Sequence, residues 1–117
     1  MFQILDNLYI SDWPEASRAK DIIRVTVAID SPFKGEHFFA LVDGRREENK
    51  QEFDDAVSLV NELLDGGQKV VVHCVVGRSR SAAVVLGVLM KRGLTFQEAY
   101  QLLHQKHPEA DPRLSLF

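Results

Sequence analysis

The sequence predicts an α/β fold in which a mostly parallel central sheet is flanked by helices. Three observations carry this. Short β-branched runs alternate along the chain with stretches of helical period. One run, Lys69 to His73, is continuously apolar through Val70, Val71 and Val72, as suits a central parallel strand covered on both faces. The stretch Ser81 to Arg92 is apolar nearly all round, as suits a helix buried in the middle of the domain. With 117 residues and 45% apolar content, the chain fits one compact domain spanning residues 1–117.

The elements follow in order. Gln3 to Leu5 and Leu8 to Ile10 flank the turn signal Asp6-Asn7 and predict a small hairpin. Pro14 suits the first position of a helix running to about Ile22, with Asp12 or Trp13 near its cap. Val25 to Ile29 and His37 to Val42 are two strands, the second ended by Asp43-Gly44. Asn49 is a cap for the next helix, with Glu52 completing a capping box. Phe53, Val57, Val60 and Leu64 then recur at helical spacing until Gly66-Gly67. After the strand Lys69 to His73 and the apolar helix, Gly93 marks a helix end. Thr95 with Glu98 is a second capping box, and Phe96, Ala99, Tyr100 and Leu103 form one helical face up to His107-Pro108. The tail adds one short turn that docks Leu114, Leu116 or Phe117.

Composition excludes several classes of function. A net charge of -3 argues against nucleic-acid binding by bulk charge. No stretch is long and apolar enough for a membrane span, and the start of the chain does not read as a signal peptide. The lone cysteine excludes an internal disulfide, and an exposed single thiol suits a reducing compartment. The expectation is a cytoplasmic monomer without cofactor or metal. His37, His104 and His107 are scattered and read as surface residues, and Trp13 reads as packing.

Ligands in open parallel sheets bind beyond the carboxyl ends of the strands, which here begin the loops after Ile29, Val42 and His73. The last of these is Cys74-Val75-Val76-Gly77-Arg78-Ser79, leading into Arg80-Ser81 and the apolar helix. A loop wrapping into a helix N-terminus turns its backbone N–H groups inward as an anion nest, so residues 75–80 are the candidate phosphate-binding residues. Gly77 permits the positive φ such a wrap needs, and Arg80 supplies a planar fork for two phosphate oxygens. The same field depresses the Cys74 thiol into the range of roughly 3.5–7.5 known for such sites, which makes a thiolate nucleophile under a phosphate cradle. Ser81 can stabilise that thiolate as a leaving group, and His73 can fix the loop by hydrogen bonds to nearby backbone. Alone, Cys74 would read as a small buried hydrophobe. The glycine and arginine at fixed offsets change that reading.

The run His73 to Ser81 resembles the His-Cys-x-x-Gly-x-x-Arg-Ser signature of protein tyrosine and dual-specificity phosphatases. Leu8-Tyr9-Ile10 is similar to that family's N-terminal strand, and the apolar helix followed by Gly93-Leu94-Thr95 to its central and following helices. The small size and the Val-Val-Gly-Arg-Ser filling of the loop look like the compact dual-specificity branch. The resemblance implies a protein tyrosine phosphatase-like fold. It also implies metal-free, two-step hydrolysis of a phosphorylated protein or peptide through a phosphocysteine.

Such chemistry needs a carboxyl that protonates the leaving oxygen and later activates water. Asp43 is the choice: it lies past a predicted strand end, precedes Gly44, and stands at about the interval from the cysteine where the family's acid stands. Asp30 reads instead as a turn residue beside Ser31-Pro32, Asp54 and Asp55 as a solvent face, and Glu47 and Glu48 as too far along the loop. Glu109 to Pro112 is hard to match to the family's water-positioning side chain. Arg45, Arg46 and Arg78 would favour acidic or doubly phosphorylated substrates, although a solvated charge run is the preferred reading for Arg45 and Arg46. Val75 and Val76, where extra lysines would be looked for, argue against a phosphoinositide. The short loop between Ile29 and His37 implies a shallow cleft open to phosphoserine and phosphothreonine as well as phosphotyrosine. The alternatives are a catalytically silent phosphate-binding module, a phosphatase of non-protein esters, or a sulfur-transfer or arsenate-reducing enzyme.

Overall fold

The structure, a computed structural model, describes residues 1–117. Strands β1 (Phe2–Leu5), β2 (Leu8–Ser11), β3 (Ile23–Thr26), β4 (His37–Phe38) and β5 (Val70–His73) form one sheet in the order β1-β2-β5-β3-β4. All neighbours run parallel except β1, which pairs antiparallel with β2. The mostly parallel sheet expected from the sequence is therefore present. The four residues of β5 are fully buried at its centre, which explains why that run carries no polar alternation.

Helices α1 (Trp13–Arg18), α2 (Arg46–Asp65), α3 (Arg80–Lys91) and α4 (Phe96–Lys106) flank the sheet, and a short 3-10 turn at Leu114–Leu116 closes the chain. Helix α3 packs on β2 and β5 and also contacts α2 and α4. Every residue from Arg80 to Leu89 is buried, so α3 is the axle of the core. Gly87 lets α2 approach closely, because a Cβ there would meet Val57 at 2.8 Å. Of the tail residues Leu114, Leu116 and Phe117, only Leu116 is buried.

Several local expectations are corrected. Helix α1 stops at Arg18 rather than near Ile22; Asp12 caps it by accepting the Glu15 N–H at 2.9 Å. Strands β3 and β4 end early, at Thr26 and Phe38, and Ile29 is 50% exposed rather than buried. Helix α2 starts three residues before the expected cap, and Asn49 and Glu52 form no capping box. Asn49 is buried and used across the structure instead: its Oδ1 accepts the Val42 N–H at 2.8 Å, and its Nδ2 donates to Arg45 O at 2.9 Å. Glu52 accepts from the Ala40 N–H at 3.3 Å. Tertiary partners thus outcompeted the local motif. On α4 the Thr95–Glu98 box is present, but Phe96 and Tyr100 are exposed while Ala99 and Leu103 face the core.

Candidate active site

Strand β5 ends at His73, and the next six residues wrap into α3. Cys74 lies at the floor of this wrap and is 3% exposed, not exposed as the sequence suggested. The Gly77 N–H donates to its Sγ at 3.3 Å, and Ser81 Oγ stands 3.2 Å from it. Burial pushes the Cys74 thiol up, while the Ser81 hydroxyl and the N–H groups of Ser81, Gly77 and Ser79 pull it down; the balance lies below the ordinary thiol value. Gly77 has φ +82°, and a Cβ there would meet Ser11 O at 2.5 Å, so only glycine fits. Val76 and Arg78 form the exposed outer rim of the loop, with Val75 and Ser79 half-buried.

His73 anchors the loop from below. Its Nδ1 faces Cys74 O at 3.1 Å, and a carbonyl only accepts, so Nδ1 carries the proton. Its Nε2 therefore accepts the Thr26 hydroxyl at 2.7 Å, and Thr26 Oγ1 in turn accepts the Gly35 N–H at 2.8 Å. Burial holds the imidazole below its ordinary pKa, which keeps it neutral and this tautomer fixed.

Arg80 is buried, and its donors can be counted. Nη1 gives one bond to Asp30 Oδ1 at 2.6 Å and one to Leu41 O at 3.0 Å; Nη2 gives one to Asp30 Oδ2 at 3.3 Å. Of five N–H donors, the Nε–H and one Nη2–H remain, and these two share one edge of the guanidinium. That edge is a two-pronged face with the geometry to grip two oxygens of an oxyanion. Asp30, dismissed from the sequence as a turn residue, thus holds the arginine end-on, and the Arg80 hydrogen bond keeps its carboxyl below the ordinary value.

Asp43 is exposed in the segment that joins β4 to α2, two residues from the Leu41 carbonyl held by Arg80. Arg113 pairs with it through Nε at 3.1 Å from Oδ1 and donates from Nη2 to its backbone O at 3.3 Å; Ser115 binds Gly44 O at 3.0 Å. The rivals lie in other roles: Asp54 pairs with Arg46 and Lys50, and Asp55 accepts from Gln51. Arg78 pairs with Glu109 at 3.0 Å, so of the three rim arginines only Arg45 makes no ion pair.

His107, read as a surface residue, is instead 4% exposed and binds Gly77 O through Nε2 at 2.9 Å. Sequence reasoning missed Asp30, Thr26, His107 and Arg113. Only Asp30 left a signal, its place beside a strand end. No group of three or more His, Cys, Asp or Glu side chains gathers to hold a metal ion.

A family model described as the dual specificity phosphatase catalytic domain matches residues 8–117. Dual specificity protein phosphatase 1B of Arabidopsis thaliana is 29% identical over 105 residues, covering 86% of this chain and 63% of that protein. Dual specificity protein phosphatase 1 of the same plant is 43% identical over 61 residues, 51% of this chain and 31% of that protein. The chain thus spans from about a third to under two thirds of the length of these curated relatives. The crystal structure of human DUSP28 superposes with a TM-score of 0.82 at 23% identity, over 99% of this chain and 90% of that one, a likeness of fold.

Proposed function

The chain belongs to the dual specificity phosphatase catalytic-domain family, and on that premise we propose that it hydrolyses phosphotyrosine and phosphoserine or phosphothreonine in proteins through a phosphocysteine. The observation that supports this most is Cys74 Sγ set 3.3 Å from the Gly77 N–H and 3.2 Å from Ser81 Oγ, in the loop that Arg80 closes.

In the first step the Cys74 thiolate attacks phosphorus while the bond from phosphorus to the ester oxygen breaks. Asp43, as the acid, gives its proton to that oxygen. The loop amides and the free edge of Arg80 hold the non-bridging oxygens as charge develops. In the second step Asp43, now a carboxylate, takes a proton from water as the water oxygen attacks phosphorus. The S–P bond breaks, inorganic phosphate forms, and the Ser81 hydroxyl and the amides receive the returning thiolate. His73 takes no proton; it fixes the carbonyl of Cys74.

All these groups come from one chain, so a monomer suffices. No helix is long and apolar enough to cross a membrane. The nucleophile must stay reduced and has no second cysteine to protect it, which favours the cytoplasm. Of Arg45, Arg46, Arg78 and Arg113 only Arg45 makes no ion pair, so the site offers little unpaired charge to select doubly phosphorylated substrates.

The test is phosphate release from phosphotyrosine and phosphothreonine peptides by the wild type and Cys74→Ser, with mass analysis of the Cys74 peptide after acid quench. Hydrolysis by the wild type, a phosphorylated Cys74 peptide and no hydrolysis by Cys74→Ser are expected. Turnover surviving Cys74→Ser would overturn the mechanism.

A further inference from the structure

One segment holds three consecutive carbonyls of the phosphate loop from outside. His107 Nε2 lies 2.9 Å from Gly77 O. The Asp111 N–H donates to Arg78 O at 2.7 Å, and the Arg113 N–H to Ser79 O at 3.2 Å. No peptide bond in the chain is cis, and in a trans peptide the N–H points opposite to the C=O. Turning the carbonyls of Gly77, Arg78 and Ser79 outward therefore turns the N–H groups of Arg78, Ser79 and Arg80 the other way, toward the anion.

His107 is the one side chain among these three anchors. Its ring stacks on Phe2 with centroids 4.0 Å apart and planes 17° apart. Nε2 faces an oxygen that only accepts, so it carries the proton and donates; the buried Nδ1 is left without a partner. An unpaired buried polar atom calls for a reason, and folds tolerate such costs at functional sites. A phenylalanine would stack on Phe2 without an unpaired ring nitrogen. What it cannot do is hold the Gly77 carbonyl. Gly77 is where the loop most needs holding, because it combines φ +82° with the N–H that meets Cys74.

We propose that His107 is a positioning residue for the phosphate loop. Its Nε2–H locks the Gly77–Arg78 peptide plane so that the Arg78 amide faces the bound phosphoryl group. The proposal rests on the phosphate-binding reading of the loop, and His107 acts through backbone without touching substrate.

The test reads anion binding rather than turnover. Iodoacetamide alkylates Cys74, and inorganic phosphate protects it. His107→Gln places an amide nitrogen near the position of Nε2, whereas His107→Asn places it near Nδ1, short of Gly77. For His107→Asn the phosphate concentration giving half protection is expected to rise about tenfold, the loss of one charge-assisted hydrogen bond to the anion. His107→Gln should stay within about twofold of the wild type. Should His107→Asn fail to fold, His107→Phe keeps the ring stack and carries the same expectation. Equal protection in Asn, Phe and wild type would overturn the proposal, as would Gln behaving like Asn. Failure of phosphate to protect wild-type Cys74 at all would instead overturn the phosphate-loop reading, and this proposal with it.

Discussion

The proposed phosphate loop and the proposed acid loop stand at the same end of the sheet, yet they are built in opposite ways. The phosphate loop is one contiguous run whose working side chains are buried: Cys74 at 3%, Arg80 at 7% and Ser81 at 0% exposure. Its geometry is set by backbone groups held on both sides. The acid loop offers one exposed carboxylate, Asp43, and is held by side chains from outside it: Asn49 and Glu52 of the next helix, and Arg80, Arg113 and Ser115 from further along the chain. The difference follows the two tasks. An anion nest works only if its dipoles are fixed before the ligand arrives. A proton carrier must reach both a leaving oxygen and water, so it stays in contact with solvent.

The largest effect is expected where the rigid loop cannot yield. In Gly77→Ala the new Cβ would meet backbone atoms, Ser11 O at 2.5 Å and Asp12 N at 2.8 Å, at a φ that an alanine resists. We predict a loss of about 10³-fold in kcat/KM on phosphopeptides, since several donors move together. Stability should fall by about 1–3 kcal/mol, measured by urea unfolding. Normal turnover would show that the loop is softer than its contacts imply.

Asp43→Ala comes next. We predict about a 10²-fold loss on phosphotyrosine and phosphothreonine peptides, whose leaving oxygens need a proton. The first step on p-nitrophenyl phosphate, whose leaving group needs little help, should be nearly unchanged. Single-turnover kinetics on both substrates decide it. A loss equal on both would place Asp43 in binding and return the acid to another carboxylate.

The same contrast explains what was legible in the sequence. Cys74, Gly77, Arg80 and Ser81 lie within eight consecutive residues, so their chemistry shows as spacing. The central strand and the all-apolar helix were legible for a similar reason, because burial on every side leaves a pattern in neighbouring residues. The partners that orient the site are distant. Asp30 meets Arg80 across fifty positions, and His107 meets Gly77 across thirty. No local period records such pairs. The failed capping box at Asn49 is the same lesson reversed, since an ordinary local motif was overridden by a bond to Val42. His107 was misread because a histidine at a helix end before proline is usually solvated.

Asp30→Asn tests whether the rigid loop depends on the exposed carboxylate that holds Arg80. The amide keeps the shape but loses the charge that fills both end-on donors of Arg80. Asp30 is 60% exposed, so solvent screens part of the effect. We predict about a tenfold rise in KM with a smaller change in kcat, as the fork loses its fixed orientation. The Asp30 carboxyl is held below its ordinary value. Its contribution to stability is therefore present above the unfolded pKa and is lost as pH falls through the folded one. The difference in stability between wild type and Asp30→Asn should then shrink at acid pH.

The smallest effect is expected at Arg113, which touches both loops: its backbone N–H binds Ser79 O and its guanidinium binds Asp43. Arg113→Ala removes only the second contact, because the backbone bond does not need the side chain. The pair is exposed, 42% and 58%, so its worth is modest. We predict about a threefold fall in turnover of phosphopeptides, no change on p-nitrophenyl phosphate, and no change in phosphate protection of Cys74. That pattern would show the acid loop to be adjusted from the C-terminal segment independently of the phosphate loop. Equal losses in all three assays would mean that the two loops move as one body, and the contrast between a fixed nest and an adjustable acid would fall.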